Sequence, residues 1–313
     1  MIVKRILVTG ASGFVGRNAL EPLRARGFEV HGVTAPGEVL EVRDVVAHGV
    51  DLLDPNQVRR LLGDVAPNHL LHLAWCTEHG EFWEAPENLD WVAASLSLAR
   101  AFYDHGGRRL VMAGSCAEYD PGGEDDCENS TCIERVTPCN PTTLYGISKD
   151  TLHTLISAFN DRVGISGAWA RIFFLYGPDE DPRRLVASVI RSLLAGEPAE
   201  CTHGEQVRDF LHVADAGSAL AALVDSAVEG PVNVASGTAV RICDLLQVLG
   251  RRLGREDLIR LGARPAPEND PPVLAANTGR LNDEVGWEPA SDLESGLEAT
   301  IAWWRSRLEG GAS

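Results

Sequence analysis

The sequence predicts an α/β protein: a doubly wound parallel sheet with helices on both faces, joined to a smaller, partly interleaved C-terminal domain. Three observations predict it. Strand-like and helix-like segments alternate along the first half of the chain. Several of the strands are near-continuous apolar runs, the pattern of strands covered on both faces. A glycine-rich turn follows the first strand directly and opens the first helix.

The elements follow in order. Residues 2–8, "IVKRILV", form a short apolar strand, "GASGFVG" the turn, and "RNALEPLRARG" a helix stopped by Gly27. "FEVHGV" (28–33) is a second strand, and a third ends near "GVDLLD" (49–54). "PNQVRRLLGDV" is a helix with proline in its first turn. "HLLHLAW" (69–75), "RRLVMAGS" (108–115) and "GAWARIFFLYG" (167–177) are further buried strands, with helical segments between them. After Pro178 the texture changes. Helices near 183–195 and 215–228 are linked by Pro- and Gly-rich connections, "PVNVASG" (231–237) is one more strand, and "LESGLEATIAWWRSRL" is a final helix. The expected division is a dinucleotide-binding domain over 1–177, to which 212–245 returns, and a second domain over 178–211 and 246–313.

Bulk properties exclude several classes. The chain has 313 residues, 44% hydrophobic and 23% charged, as in a soluble globular protein. A net charge of −17 argues against a general nucleic-acid binder, which needs a basic face. An anionic ligand must instead be held by local donors. No apolar stretch reaches membrane-spanning length, and the N-terminal run is too short for a secretory signal, so a cytoplasmic protein is expected. The seven cysteines (76, 116, 127, 132, 139, 201, 243) include no Cys-x-x-Cys pair, so no zinc spacing exists and no metal is expected.

Gly10, Gly13 and Gly16 stand at Gly-x-x-Gly-x-x-Gly spacing between a strand and a helix. Glycine permits a tight turn and close approach of a pyrophosphate, and the helix N-terminus supplies free N–H groups. The alternative is an ordinary strand-to-helix turn. The end of the second strand reports on the cofactor, because an acid there binds the adenosine ribose of NAD. The expected position is about Thr34, which is not acidic, and this tilts the expectation slightly to NADP over NAD. Arg17 and Arg43 are candidates for a 2′-phosphate, or else solvated surface arginines. Asp51, with Leu52, ends the third strand, where a carboxylate can accept a hydrogen bond from the adenine amino group.

The chain has only two lysines among its 28 lysines and arginines, Lys4 and Lys149. Lys149 lies four residues after Tyr145, so on a helix the two share a face. A tyrosine is a poor proton carrier at neutral pH, and a nearby ammonium lowers its pKa. Lysine is also a compact donor suited to a ribose hydroxyl, where arginine's planar fork fits less well. The alternative is a chance surface pair.

Together "VTGASGFVG", "HLA", "YGISK" and "VRDFLHVAD" resemble the extended short-chain dehydrogenase/reductases, specifically the nucleotide-sugar epimerase/dehydratase/reductase group. The resemblance runs from residue 2 to about 306. It implies a Rossmann domain with bound nicotinamide cofactor and a C-terminal domain that holds a nucleotide-diphosphate sugar. It makes Tyr145 the acid/base, Lys149 its partner, and Ser115 the hydroxyl on the reacting oxygen, with a structural turn serine as the alternative for Ser115. The cofactor side becomes Gly10, Ser12, Gly13, Phe14, Val15, Gly16, Thr34, Asp51, Leu52, Leu73, Ala74, Tyr145 and Lys149. The matching arginine of "RDF", Arg208, would contact the substrate diphosphate through bidentate hydrogen bonds, or else pair with Asp209 or Asp215.

Departures from the family bear on the reaction. Phe174 replaces a frequent substrate-contacting Asn, Trp91 replaces the Asn of "Asn-Val-x-Gly-Thr", and the segment 75–91 is aromatic and acidic. Its Trp75, Phe82, Trp83 and Trp91 can stack on a base or sugar, or pack a core. Family dehydratases carry an Asp-Glu pair just after the serine or threonine, and decarboxylases keep the Glu. Here Cys116 and Ala117 fall there, and neither does carboxylate work. Glu118 is one residue too far on, and strand alternation turns it to the other face. Some epimerising reductases protonate carbon with a cysteine, but theirs aligns with Ala117 rather than Cys116. Two reactions then need only Ser, Tyr and Lys. Reduction of a 4-keto-sugar stands first, because Thr34 is not acidic, and 4-epimerisation with tightly held NAD second. A non-catalytic cofactor-binding regulator is the distant third, since such relatives typically lose the Tyr–Lys pair. In this family helices such as those near 88–104 and 145–162 form a four-helix bundle across a two-fold axis, so a homodimer is expected, with Ala93, Ala94 and Ser95 allowing close approach and Leu152, Leu155, Ile156 and Phe159 on one face.

Overall fold

The computed structural model describes residues 3–120, 131–266 and 270–310; Cys127 lies outside them. Seven parallel strands form the main sheet: β1 (Arg5–Thr9), β2 (Glu29–Thr34), β3 (Val45–Gly49), β4 (His69–His72), β5 (Arg109–Ser115), β7 (Ser166–Ile172) and β11 (Gly230–Val234). Their order is β11-β7-β5-β4-β1-β2-β3. The order reverses between β1 and β4, which opens a crevice at the carboxyl ends of these strands.

Both faces of the sheet are covered, which is why β1 is apolar without alternation. Ile6, Leu7 and Val8 have no exposed surface. Ile6 and Val8 join α1 (Gly16–Ala25) and α6 (Val213–Asp225) through Ala19, Leu20, Ala216 and Leu220. Leu7 points the other way, into α2 (Pro55–Val65), α3 (Glu87–Asp104) and α4 (Leu144–Val163), through Leu62, Phe102 and Leu152. These cores hold the carboxyl ends of β1, β4 and β5 side by side.

A second unit carries the strand order β12 (Ala239–Arg241), β10 (Val207–His212), β14 (Val273–Ala276) and β6 (Thr131–Cys132), with β8 (Phe174–Tyr176) also paired to β10. A two-stranded sheet, β9 (Ala199–Glu200) with β13 (Ile259–Arg260), accompanies it. α5 (Leu185–Ala195), α7 (Ile242–Leu253) and α8 (Leu293–Gly310) share one core around Leu245, Leu246, Leu297 and Trp304. The boundaries read from the sequence need correction here. β6 and β8 lie before residue 177 yet pair into the second unit, and β12 and the start of α7 lie inside 212–245 yet belong there too.

On the outer helices, Leu152 and Ile156 are buried in the subunit's own core, whereas Leu155 is 46% exposed. Ser95 is also turned inward, where its hydroxyl meets His72 Nε2 at 2.8 Å, so it does not belong to the outer surface. Among the described residues no helix is long and apolar enough to cross a membrane.

Candidate active site

The glycine turn lies in the crevice between β1 and β4. Gly10 has φ +66°, and a Cβ there would stand 2.9 Å from the Ala74 amide nitrogen. A Cβ on Gly16 would overlap the Gly10 carbonyl, so the turn and the start of α1 close tightly only with glycine at both places. Leu73 and Ala74 are tied to β1 by amide hydrogen bonds to Thr9 Oγ1 of 3.1 and 3.3 Å. Among the described residues the amides of Ser12, Phe14 and Val15 have no backbone acceptor. Free N–H groups at a helix start, with no side chain filling the cradle, fit the pyrophosphate of a dinucleotide.

Two expectations about the adenosine end need correction. Arg17 is not free for a 2′-phosphate: its guanidinium donates to the Ser12 carbonyl at 2.6 Å and pairs with Asp179. The end of β2 carries no acid, as read from the sequence, but the inference drawn from that is incomplete, because a carboxylate reaches the turn from further along the chain. Thr34 is buried and donates to the Glu38 carbonyl at 3.3 Å, and the Glu38 carboxylate accepts from Ser12 Oγ at 2.5 Å. The carboxylate arrives from the loop after β2 rather than from its last residue. The signal was an acid just beyond the Ala35-Pro36-Gly37 turn. Arg43 is an exposed side chain beside Asp44. Asp51 is exposed and accepts from the Leu53 amide at 2.9 Å, with Leu52 buried next to it.

Ser115 ends β5, and Tyr145 and Lys149 stand one turn apart on α4, which is opened by Thr143 capping the Gly146 amide at 3.1 Å. Ser115 is the residue whose side chain acts most strongly on the Tyr145 phenol. Burial pushes that phenol up, against the pull of Ser115. The side chains that bear on the phenol are Ser115, Cys116, Glu118 and Arg184, so burial, and not the lowering expected from Lys149, sets the direction. Lys149 is 4% exposed, and burial brings its amine down to about 7. Its Nζ donates to the Ala113 carbonyl at 3.0 Å and lies 3.6 Å from the centre of the Trp75 ring. The 75–91 segment thus encloses the Tyr–Lys pair. Phe82, Trp83 and Trp75 meet the Tyr145 ring edge-on, at 4.9, 5.8 and 6.4 Å between centroids. The Tyr145 amide donates to the Trp83 carbonyl at 2.9 Å. No residue spacing announces this enclosure.

Glu118 stays out of the site, for a different reason than alternation. β5 ends at Ser115, and residues 116–118 form a 3-10 turn that folds Glu118 back. Its carboxylate accepts from the Ser115 amide (2.7 Å), Trp169 Nε1 (2.9 Å) and Arg171 Nε (2.7 Å). Burial raises this carboxyl while the Arg171 guanidinium beside it pulls the other way. Glu118, Asp150 and His153 bring ligand atoms within 4.8 Å of one another, but Arg171 already bonds Glu118 and approaches His153 Nδ1 at 3.5 Å.

Among the residues expected to meet substrate, Cys116 is a buried thiol pushed up to about 12 by desolvation. It shares an apolar cluster with Phe174. Arg208 crosses the Phe174 ring at 5.5 Å, so these three expected residues do come together. Neither partner foreseen for Arg208 is the one it takes. It pairs with Asp270 at 2.5 Å, whereas Asp209 accepts from the Ser236 and Gly237 amides and Asp215 from those of Ala290 and Ser291.

Comparison with known proteins agrees with this geometry. The profile of the NAD dependent epimerase/dehydratase family matches residues 6–235. The UDP-glucuronic acid decarboxylase 1 of Xenopus tropicalis is 29% identical over 318 residues, covering 98% of this chain and 73% of that protein. The UDP-glucose 4-epimerase of Rhizobium meliloti (strain 1021) is 26% identical, covering 98% of each. The crystal structure of a Thermus thermophilus UDP-glucose 4-epimerase in complex with NAD matches 96% of this chain and 99% of its own, with TM-score 0.84 and 26% identity. A doubly wound sheet, a glycine cradle at its crevice and a family match over most of the length lead to one assignment: the chain belongs to the NAD-dependent epimerase/dehydratase family of nucleotide-sugar-modifying enzymes, of the extended short-chain dehydrogenase/reductase class.

Proposed function

We propose that the protein is a 4-epimerase of a nucleotide-diphosphate hexose that keeps NAD bound through the cycle, with reduction of a 4-keto-sugar as the second reading. The observation that carries it is the company of Ser115. Cys116 and Ala117 follow it, and the carboxylate of that turn, Glu118, is engaged by Arg171 and Trp169. A site with Ser, Tyr and Lys but, among the described residues, no available carboxylate supports proton transfer at a hydroxyl rather than elimination of water or loss of CO2 by carboxyl catalysis. Glu38 beside Ser12 supports NAD over NADP, since a carboxylate repels a 2′-phosphate. That moves epimerisation ahead of reduction.

In this reading Gly10, Ser12, Gly13, Phe14, Val15 and Gly16 hold the pyrophosphate, with Glu38, Asp51, Leu52, Leu73 and Ala74 around the rest of the dinucleotide. When bound, NAD supplies the two-electron acceptor and donor for the sugar carbon. Tyr145 takes the proton from the 4-hydroxyl and returns it, Ser115 hydrogen-bonds the same oxygen, and Lys149 stabilises the charged phenolate. Arg208 binds the diphosphate after exchanging part of its contact with Asp270, and Phe174 and Cys116 border the sugar. A homodimer through the outer faces of α3 and α4 completes the proposal.

The test is mass spectrometry of the ligand released from denatured protein, together with proton NMR of UDP-glucose incubated without added cofactor. Released NAD and formation of the 4-epimer are expected. An empty protein that acts only on a 4-keto-sugar nucleotide with added NADPH would establish the reductase reading instead.

A further inference from the structure

Among the described residues Lys149 is a buried amine without the carboxylate partner such a group ordinarily has. The carboxylate whose field reaches it, Glu118, is bonded to Arg171 at 2.7 Å. One donor of Lys149 is taken by the Ala113 carbonyl at 3.0 Å. The other close neighbour is the face of Trp75, with Nζ only 3.6 Å from the ring centre. That face is held in place. Trp75 Nε1 donates to Asn88 Oδ1 at 2.8 Å, and the amide nitrogen of Asn88 donates to the Phe82 and Ala85 carbonyls, each at 2.8 Å. Asn88 has no exposed surface, so its side chain cannot turn to solvent without breaking all three bonds. Trp91 backs the indole at 6.2 Å.

We propose that Trp75 is a positioning residue for Lys149: its indole, fixed by Asn88, is the seat that keeps the amine charged and aimed along the Tyr145 side of α4. An aromatic face attracts an ammonium and does not attract a neutral amine, and the attraction is larger where water is excluded. Carbonyl and indole together replace the missing carboxylate. Among the described residues the other ionisable groups that bear on Lys149 are His72 from β4, Tyr145 on its own helix and Glu118 from the turn after β5, with Asp150 and His153 clustered behind Glu118. Burial holds His72 down to about 3, so it is neutral at working pH and does not compete for the charge.

The sequence makes the test direct, because Lys4 and Lys149 are the only lysines. Protein labelled with carbon-13 lysine gives two ε-methylene signals, assigned with Lys4→Arg, and the titration of Lys149 is read without any substrate. In the wild type the Lys149 ε protons are expected upfield, shifted by the indole ring current. In Trp75→Leu, which keeps water out but removes the aromatic face, that shift disappears. The titration midpoint falls by about half to one and a half pH units, a three- to thirty-fold change in the protonation equilibrium. Trp75→Phe restores most of it, and Asn88→Ala, which frees the indole, gives an intermediate value. An unshifted wild-type signal, or midpoints that agree among wild type, Trp75→Leu and Trp75→Phe, overturns the assignment, as does a midpoint that rises in Trp75→Leu. If Trp75→Leu does not fold, Trp75→Phe and Asn88→Ala against wild type decide in the same way. The measurement is on Lys149 itself, so its failure leaves the proposed epimerisation standing, and failure of that reaction leaves the seat standing.

Discussion

The carboxylate of Glu38 accepts a hydrogen bond of 2.5 Å from the hydroxyl of Ser12, which bridges the loop after β2 to the glycine turn after β1. A negative charge thus stands at the mouth of the dinucleotide cradle, where the residue that ends β2, Thr34, offers none. The expected consequence is discrimination between cofactors. Glu38→Gln should weaken NAD by roughly 10- to 100-fold, the worth of a charged hydrogen bond, and narrow the preference over NADP. Isothermal titration with both dinucleotides checks this, and an unchanged ratio of affinities would remove Glu38 from the cofactor site.

Tyr145→Phe should lower turnover of the nucleotide sugar by at least ~100-fold while cofactor affinity stays within a few-fold. The ring alone keeps its edge contacts with Trp75, Phe82 and Trp83, so the melting temperature should hold. Turnover near that of the wild type would take the proton-transfer role away from Tyr145.

Arg208→Ala should raise the KM for a nucleotide sugar roughly 10- to 100-fold and leave NAD binding alone. Asp270→Asn tests whether the ion pair or the arginine matters. It removes the 2.5 Å partner but keeps the guanidinium, so it should leave the KM unchanged or lower it. Equal KM values for wild type and Arg208→Ala would contradict the diphosphate contact.

Glu180 carries a pH dependence. It is 4% exposed, its Oε2 has no hydrogen-bond partner among the described residues, and burial raises its carboxyl to about 8 against the pull of Arg184. The folded protein therefore holds a proton that the unfolded chain releases above about 4.5. Stability from this group is full below pH 4.5 and is lost progressively as pH rises toward 8. Glu180→Gln should melt close to the wild type at pH 5 and higher than it at pH 9, by several degrees for a difference of a few kcal/mol. Parallel melting curves at both pH values would show that Glu180 is ionised in the folded protein.

Assembly is expected through the outer faces of α3 and α4. Leu89, Ile147 and Leu155 are 60%, 44% and 46% exposed there. Light scattering should give about twice the 33.7 kDa chain mass, and Leu155→Glu should shift it toward the monomer. A wild type that stays at the single-chain mass at micromolar concentration defeats the idea.

What the sequence by itself determined rests on short-range periodicity. Apolar runs such as 69–75 and 108–115 announced strands covered on both faces, Gly10, Gly13 and Gly16 announced the turn, and four-residue spacing put Tyr145 and Lys149 on one face of a helix. Those inferences need only the geometry of one element and its neighbours in the chain. The tertiary structure alone decided which side chains meet across elements. It brought Glu38 to Ser12, Asp270 to Arg208, Arg171 to Glu118 and Trp75 to Lys149. The strand-to-turn change after Ser115 mattered most among these, because three residues of 3-10 turn, and not strand alternation, set where Glu118 goes. Partners of this kind are separated by 26 to 74 residues, or lie just past an element's end, and are chosen by how sheets and helices pack, which no local period encodes.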